Sequence, residues 1–215
     1  MALDFGKARG KAAKGSVDQY QYVNGDNRVR MVGGLLARYV YWIKGMNDKN
    51  IPFECLSFDR DAEAFVNKEK DWVKEFYPDL KCGWAYAILC IDPADQKVKV
   101  LNLKKKLMEQ IMTATEDLGD PTDPDTGFDI CFKREKTGPQ VYNVEYQLQV
   151  LKCQNAVRPL TDAEREAFAA ATPIDEQLVR PTPDSQEKLL KEIQNKATEG
   201  AEGIEDDVEK EFDVE

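Results

Sequence analysis

The sequence contains no histidine among its 215 residues. That absence excludes a histidine general base and every zinc site that uses a histidine ligand. The five cysteines are an odd number, and no Cys-x-x-Cys pair occurs. A zinc site of cysteines alone would need four thiolates to converge, which these spacings do not indicate. We therefore expect no metal cofactor, and reduced core cysteines as in a cytosolic protein.

Long apolar runs are also missing. No run approaches the roughly 18 residues that a membrane-spanning helix needs, and the N-terminus carries no signal-peptide pattern. A chain of this length can bury one good core with a small subdomain. These features predict a soluble, cytoplasmic protein that is not secreted.

Charge is unevenly distributed along the chain. The net charge is -10, but residues 1–160 hold 24 Lys+Arg and 23 Asp+Glu, whereas residues 161–215 hold 6 and 17. The acidic excess therefore belongs to the C-terminal quarter, and the balanced remainder can still present a basic surface. At the other end, residues 1–16 are rich in Gly, Ala and Lys. They predict a mobile basic arm, with a solvated start of no function as the alternative.

The stretch Trp84–Ile111 contains the strongest pattern. Residues 84–91 alternate as in a strand, Asp92–Asp95 form a proline-containing turn, and residues 97–102 alternate again, which predicts a hairpin. Three lysines then open a helix that ends near Gly119. Exposed aromatics beside lysines suit a surface that stacks bases and neutralises phosphates.

The chain before this stretch predicts two strands and a helix. Val29–Lys44 reads as a long strand with a bend or bulge at Gly33-Gly34, and Pro52–Phe58 as a second strand. Residues 60–77 change to helical spacing and stop before a proline. They predict an amphipathic helix in which Trp72 fits the core, or a lid, better than a base stack.

The chain after the central helix predicts a turn, a hairpin and two helices. The acidic loop Asp120–Asp129 lacks the ligand spacing and terminal Glu of a calcium loop, so a turn is the better interpretation. Phe128–Glu135 and Val141–Lys152 predict the hairpin. Thr161–Ala171 and Ser185–Ala197 predict two short helices.

This order of elements is that of the OB layout, in which a helix lies between the third and fourth strands of a five-stranded barrel and oligonucleotides bind on the face of strands 2 and 3. The runs WAYAILCID, KVKVLNLKKKLMEQI and GFDICFKR also resemble the core of the T-even-phage single-stranded-DNA-binding (helix-destabilising) proteins. The resemblance covers residues 28–152. It implies a mainly β protein: an OB-fold five-stranded barrel with a helical insertion, an inter-strand helix and short C-terminal helices.

The resemblance also implies a function. It implies sequence-independent binding of single-stranded DNA, without enzymatic activity, that protects the strand during phage DNA replication, recombination and repair in the host cytoplasm. It divides the chain into a basic N-terminal arm (1–16), an OB-fold DNA-binding core (17–155), a helical C-terminal extension (156–197) and a disordered acidic tail (198–215). Well-known members of that family hold zinc in the insertion through His and Cys. Because this chain has no His and no Cys cluster, we expect a metal-free insertion.

The DNA-contact residues are expected from the resemblance and from alternation. The resemblance assigns Trp84 to the DNA cleft. The family's basic positions correspond to Lys97, Lys99, Lys105, Lys106 and Lys133. Alternation, or position beside these residues, adds Arg38, Tyr39, Tyr41, Trp42, Lys44, Phe53, Phe58, Tyr86, Lys104, Arg134 and Lys136. For each aromatic, packing in the core is an equal alternative, because aromatic side chains are mostly buried.

The two charged termini have expected roles of their own. The resemblance implies that the basic arm supports cooperative self-association along the strand, through Lys7, Arg9, Lys11 and Lys14. It implies that the acidic tail docks replication partners such as a polymerase, helicase or primase. The tail residues singled out are Glu205, Asp206, Asp207, Glu209, Glu211, Phe212 and Asp213. A solubility tail without a partner is the alternative.

Three other functions stay open at this point. A nuclease would need carboxylates to converge on a basic cleft, whereas the aspartates here lie in turns. A protein-interaction module would use the tail and never touch DNA. An RNA-binding OB protein is the nearest rival, since nothing in the sequence reads a 2′-hydroxyl.

Overall fold

The computed structural model describes residues 18–44, 50–139 and 143–195. The basic arm and the acidic tail lie outside these ranges. The strands are β1 (Gly25–Leu36), β2 (Tyr39–Lys44), β3 (Asn50–Glu54), β4 (Gly83–Trp84), β5 (Ala87–Asp92), β6 (Lys97–Asn102), β7 (Asp129–Lys136) and β8 (Val144–Leu148). The helices are α1 (Trp72–Phe76), α2 (Lys105–Leu118), α3 (Val150–Gln154), α4 (Asp162–Ala170), α5 (Ile174–Gln177) and α6 (183–195).

The chain forms two compact units. Among the described residues, unit 1 combines 18–36 with Ala85–Val179, and unit 2 combines Ala37–Trp84 with 180–195. The first part of unit 2 is therefore inserted between the first two strands of the sheet of unit 1, and its second part follows the last strand.

Unit 1 contains a five-stranded antiparallel sheet in the order β6-β5-β1-β7-β8. α2 follows the third of these strands in the chain and precedes the fourth, which is compatible with the OB layout. Among the described residues the edge strands β6 and β8 do not pair, so no closed barrel is seen. Instead, residues 18–20 pair in parallel with Val100 of β6. The Gln110 side chain of α2 bonds the backbone of β8 at Tyr146 and Leu148.

The strand β5 is buried on both faces. Leu89 and Ile91 belong to a hydrophobic cluster that the C-terminal segment 160–178 completes. On the other face, Ile88 and Cys90 are buried as well. Burial on both sides explains why this strand is an unbroken apolar run.

Backbone hydrogen bonds fix the C-terminal segment to unit 1. The amide of Arg158 donates to the carbonyl of Gly127 (3.0 Å), and that of Leu160 donates to Pro124 (2.8 Å). α4 then begins with a capping box, in which Thr161 and Glu164 each bond the other's backbone amide. The segment is thus an integral layer of unit 1.

Unit 2 is built on a three-stranded antiparallel sheet in the order β3-β2-β4. The chain from residue 180 onward belongs to this unit. Arg180 donates to the carbonyls of Leu56 (2.7 Å) and Phe58 (2.8 Å), and Gln186 at the start of α6 donates to Glu54 (2.9 Å). These side chains satisfy the carbonyl of the last residue of β3 and two carbonyls of the segment that follows it.

The predicted strand Val29–Lys44 is two strands in different units. β1 ends at Leu36, and β2 begins at Tyr39. The predicted bulge is confirmed, because the pairing register with β5 shifts between Val32 and Leu36 and Gly33 has a φ of 75°. The run from Trp84 likewise divides, between β4 and β5.

The helix predicted over residues 60–77 is wrong, and α1 occupies only its last part. The Asp59 carboxylate accepts hydrogen bonds from the amides of Asp61 (3.0 Å) and Ala62 (2.8 Å), which closes turns in place of a helix. A helix starts only where Asp71 caps the amide of Val73 (3.2 Å). The strand predicted over Pro52–Phe58 also ends early, at Glu54.

Other predictions from the sequence are confirmed. The β5–β6 hairpin and α2 with its end at Gly119 are present, and Asp123 organises the acidic loop as a turn by accepting from Asp125 (2.8 Å) and Thr126 (2.7 Å) amides. The second predicted hairpin is shorter, since residues 150–154 form α3. α4 matches the first predicted C-terminal helix.

The five cysteines form no disulfide. Cys55, Cys90, Cys131 and Cys153 are buried, and desolvation raises the pKa of each thiol, to about 11 for Cys55 and Cys131 and to about 12 for Cys90. Cys82 is half-buried. Within the described part of the chain, no helix is long and apolar enough to cross a membrane.

Candidate functional site

The residues predicted to contact DNA divide between the two units. Unit 1 contains Tyr86, Lys97, Lys99, Lys104, Lys105, Lys106, Lys133, Arg134 and Lys136. Unit 2 contains Arg38, Tyr39, Tyr41, Trp42, Lys44, Phe53, Phe58 and Trp84. The predicted residues of the arm and of the tail lie outside the described residues.

An aromatic cluster lies at one end of the unit 1 sheet. The ring of Tyr22 is 5.7 Å from that of Phe132 and 5.5 Å from that of Tyr146, and Tyr20 packs edge-on against Tyr22 at 5.5 Å. The Tyr22 hydroxyl donates to the backbone carbonyl of Asn102 at 2.9 Å. Desolvation raises the pKa of Tyr22, so this tyrosine stays neutral. The cluster is therefore held in place from β6, β7 and β8.

Two cations stand beside these rings. Lys104 is the N-cap of α2, and its Nζ lies 5.5 Å from the centre of the Tyr22 ring. Arg134 of β7 lies opposite Tyr146 of β8 and donates through Nη1 to the Asn24 amide oxygen. Desolvation, and then repulsion from Arg134, lowers the pKa of Lys104. An anion bound here would interact favourably with both positive charges.

Neither cation is neutralised within the described residues. Lys104 and Arg134 form no ion pair there, and the Nε of Arg134 is enclosed without a hydrogen-bond partner. With the aromatic cluster they line a cavity of about 480 Å³, here called the Tyr22–Tyr146 cavity. Its other lining residues are Gln19, Tyr20, Gln21, Asn102 and Val144. No carboxylate lines it.

Other predicted cations of unit 1 are neutralised or lie apart from this cavity. Lys99 binds Asp92 and Asp95, each at 2.8 Å, and these hydrogen bonds raise the pKa of Lys99. Lys133 is paired with Glu135. Outside the cavity lining, Tyr86 is half-buried, and Lys97, Lys105, Lys106 and Lys136 are exposed.

A second cationic group in unit 1 is bound internally. Arg158 forms two 2.7 Å hydrogen bonds with Glu164 and lies 3.2 Å from Asp129, which also accepts from Arg28 at 2.8 Å. Arg30 is 2% exposed and lies 4.0 Å from the Asp129 carboxylate. Hydrogen bonds from Arg158 lower the pKa of Glu164 to about 2. These arginines are engaged with internal carboxylates, and Arg30 is buried as well.

In unit 2, three of the predicted aromatics are in the core. Tyr41, Phe53 and Phe58 are buried, which is the alternative that alternation left open. Their side chains are not accessible to a base in this structure. Tyr39 is half-buried and packs on Phe58 and Phe65, with ring centroids 4.7 and 4.8 Å away.

The other predicted residues of unit 2 lie at its surface or near it. Trp42 is 54% exposed, and Lys44, two residues along β2, is exposed on the same face. Arg38 and Trp84 are half-buried, and Trp84 pairs with Tyr39. Trp42 and Lys44 are therefore the predicted pair in this unit that a ligand can reach.

Unit 2 contains a buried polar cluster around Asp71. The Asp71 carboxylate accepts from the Tyr41 hydroxyl (3.1 Å) and from the Cys55 thiol (3.2 Å). Among residues 18–44, 50–139 and 143–195, no group of three or more His, Cys, Asp or Glu side chains could hold a metal ion. The cluster is satisfied by its own hydrogen bonds.

Sequence reasoning missed part of the cavity. Gln19, Tyr20, Gln21, Tyr22 and Tyr146 are not among the DNA-contact residues predicted from the sequence. The signal was present as the alternation Gln-Tyr-Gln-Tyr at residues 19–22, which places both tyrosines on one face of an extended segment.

Comparison with known proteins gives one relative to report. A protein of Escherichia phage T5 named "Probable ssDNA-binding protein" is 34% identical over 182 residues, covering 76% of this chain and 69% of the relative. No family model matches the chain. Identity at this level over most of both chains indicates common descent.

Proposed function

The chain belongs to the family of this phage T5 protein, and we propose that it binds single-stranded DNA without regard to base sequence. The observation that carries the proposal is the Tyr22–Tyr146 cavity, where aromatic rings lie beside two cations that no carboxylate of residues 18–44, 50–139 and 143–195 neutralises. Rings stack on any base and cations bind any phosphate, so such a surface tolerates every sequence. The exposed Trp42 of unit 2 offers a further aromatic ring on which a base can stack.

Titration of fluorescently labelled oligonucleotides with the full chain tests the proposal. We expect similar affinities for oligo-dT and a mixed-sequence strand, much weaker binding to the matching duplex, and weakening from about 50 to 200 mM salt. Equal affinity for the duplex, or no binding to either strand, would overturn it. An RNA strand in the same assay addresses the nearest alternative, which is an RNA-binding protein.

The finer roles expected from the T-even-phage resemblance belong to the same proposal. They are protection of single strands in DNA replication, recombination and repair, a non-enzymatic role, and action in the host cytoplasm. The relative's name supports DNA binding and phage origin for the family. Incubation of labelled DNA with Mg²⁺ or Mn²⁺ tests the absence of nuclease activity, since cleavage by the purified chain would overturn it.

We assign the basic arm to self-association along the strand. Residues 19–22, which follow the arm in the chain, line the Tyr22–Tyr146 cavity, and Asp18 and Tyr20 pair with Val100. Deleting residues 1–16 should weaken coating of long strands more than binding to a short oligonucleotide. Equal losses on both lengths would mean that the arm adds phosphate contacts alone.

We also propose a metal-free insertion and a partner-docking tail. Chelator should leave folding unchanged, because the Tyr41–Cys55–Asp71 cluster is satisfied by its own hydrogen bonds; stoichiometric zinc by elemental analysis would contradict this. The tail carries nine acids, with Phe212 among them as a hydrophobic anchor for replication proteins. A module that binds proteins and never DNA is the alternative, and the oligo-dT titration excludes it if binding is found.

A further inference from the structure

The OB layout directs ligands to the face of the second and third strands, which in unit 1 are β5 and β6. That face is closed here. Leu89 and Ile91 are covered by the segment 160–178, and Ile88 and Cys90 are buried on the opposite side. Bases cannot lie across β5 unless a hydrogen-bonded layer of unit 1 leaves. A nucleic acid that binds unit 1 must therefore contact a different surface of this unit.

The Tyr22–Tyr146 cavity is that place, and its contents match one nucleotide. Its volume of about 480 Å³ lies within the range of small-molecule sites and is far below the needs of a stacked strand. It combines rings, cations and amides in one concave space, with no carboxylate to repel a phosphate. A shallow phosphate-binding track would not need the enclosed aromatic wall.

Three features converge on a phosphate at the cation side of the cavity. Lys104 and Arg134 are not neutralised within the described ranges, and the Nε of Arg134 is enclosed without a partner. Lys104 is also the N-cap of the 14-residue α2, whose first turn has neither a capping side chain nor an acidic residue. A helix N-terminus in this state attracts an anion, and here it adds to two side-chain charges.

The aromatic side of the cavity suits a base. Tyr146 is half-buried, and its hydroxyl makes no hydrogen bond within the described residues, so the ring can shift to stack. The amides of Gln19, Gln21 and Asn102 line the same space, and each carries both donors and an acceptor. In this structure Gln21 Nε2 donates to the Gln19 carbonyl (3.2 Å) and Asn102 Nδ2 donates to Gln19 Oε1 (3.3 Å), so a base edge would exchange hydrogen bonds with these amides.

We propose that the Tyr22–Tyr146 cavity is a one-nucleotide subsite. One nucleotide of the bound strand leaves the base stack and enters it. Its phosphate is held by Lys104, Arg134 and the N-terminus of α2, and its base stacks on Tyr146. The inference rests on the proposed function. It adds that one position of the strand is bound differently from its neighbours and that a paired base, held in a duplex, cannot enter.

Free mononucleotides test the subsite without the rest of the strand. The full chain is titrated with dTMP, dAMP, thymidine and inorganic phosphate by NMR or calorimetry. We expect dTMP and dAMP to bind similarly and thymidine at least about tenfold more weakly, because it lacks the charge that the cations hold. Arg134→Gln should abolish dTMP binding. Lys152→Gln, which removes the same charge from a different cavity, should not.

Strand binding supplies the second arm of the test. Tyr146→Leu should weaken oligo-dT binding about tenfold, whereas Tyr146→Phe keeps the ring and should retain affinity. A 2-aminopurine base moved along a site-length strand should show one position with distinct fluorescence. If wild-type protein binds oligo-dT but not dTMP, and Tyr146→Leu is without effect, the subsite is wrong and DNA binding stands. If wild-type protein does not bind oligo-dT, the proposed function fails instead.

Discussion

Unit 1 contains basic side chains in two opposite settings. Arg158 is fastened to Glu164 by two 2.7 Å hydrogen bonds and shares Asp129 with Arg28, whereas Arg134 meets a neutral amide and lies in a cavity without carboxylates. Charge of the same sign thus stabilises the fold in one place and stays available to an anion in the other. The two arginines differ in the partner that folding brings close to each, and the residue type alone does not predict that partner.

The largest effect is expected from breaking the internally bound group. Asp129→Asn leaves Arg28, Arg158 and the buried Arg30 without their shared carboxylate, and should lower the free energy of unfolding by about 3–5 kcal/mol. Urea unfolding measures the loss, and DNA affinity of the folded protein should not change.

An exposed ion pair provides the control for that variant. Asp125→Asn removes the partner of Arg165, and both side chains of this pair are well exposed, so the cost should stay below about 1 kcal/mol. Equal losses for the two aspartates would mean that the Asp129 group is not the internal support described above.

The next effect contrasts two lysines that are five residues apart. Lys104→Gln removes a cation from the Tyr22–Tyr146 cavity, and should reduce the slope of log affinity against log salt by about 0.7, the value for one phosphate contact with a single strand. Lys99→Gln removes a cation already bound to Asp92 and Asp95, so its slope should equal that of the wild type. Oligo-dT titrations at several salt concentrations measure both slopes. Equal slopes for the two variants would mean that Lys104 does not contact a phosphate that Lys99 leaves free.

A smaller effect is expected from the acidic tail. Residues 198–215 carry nine acids and one lysine, and a tethered polyanion competes with DNA at high effective concentration. Truncation after Ala197 should tighten oligo-dT binding a few-fold at low salt, and less as salt shortens the Debye length from about 10 Å at 0.1 M. The gain should shrink in Lys104→Gln. Identical affinities of full-length and truncated protein at low salt would exclude competition.

The last expected effect is a pH dependence of stability. The pKa of Glu164 in the folded protein is about 2, below its ordinary value near 4.5, because Arg158 donates to the carboxylate. Its stabilising contribution is therefore complete above about pH 4.5 and is lost as the pH falls toward 2. Thermal melts should show wild-type and Glu164→Gln stabilities approaching each other over that window. A constant difference between them would mean that Glu164 is not ionised in the folded protein.

Local sequence patterns predicted correctly those strands and helices that are stabilised mainly by contacts close in sequence. The β5–β6 hairpin and α2 follow from alternation, a proline turn and helical spacing, and all three signals describe contacts close in sequence. The prediction of one helix over residues 60–77 is wrong because the side chains of Asp59 and Asp71 accept hydrogen bonds from nearby backbone amides and divide the segment. Phe65 and Val66 are exposed as a result. Spacing alone carries no information about that competition.

The site was harder to predict than the fold. Lysines of β6 and α2 read alike in the sequence, yet Lys99 is clamped by two aspartates and Lys104 is not. The cavity also draws Tyr22, Lys104 and Arg134 from segments far apart in the chain, and their meeting depends on a sheet order that pairs β1 with both β5 and β7. The second unit, with Trp84 and Trp42, depends on a division of the chain that no composition change marks.

The uneven burial of the cysteines gives the protein a site for selective thiol labelling. Four thiols are enclosed and hard to ionise, which leaves Cys82, one residue before β4, as the thiol that a maleimide reaches in the native state. A fluorophore placed there would sit within two residues of Trp84 without any change to the sequence. Stoichiometric labelling at that position would convert the native chain into an optical reporter for strand binding at the level of single molecules.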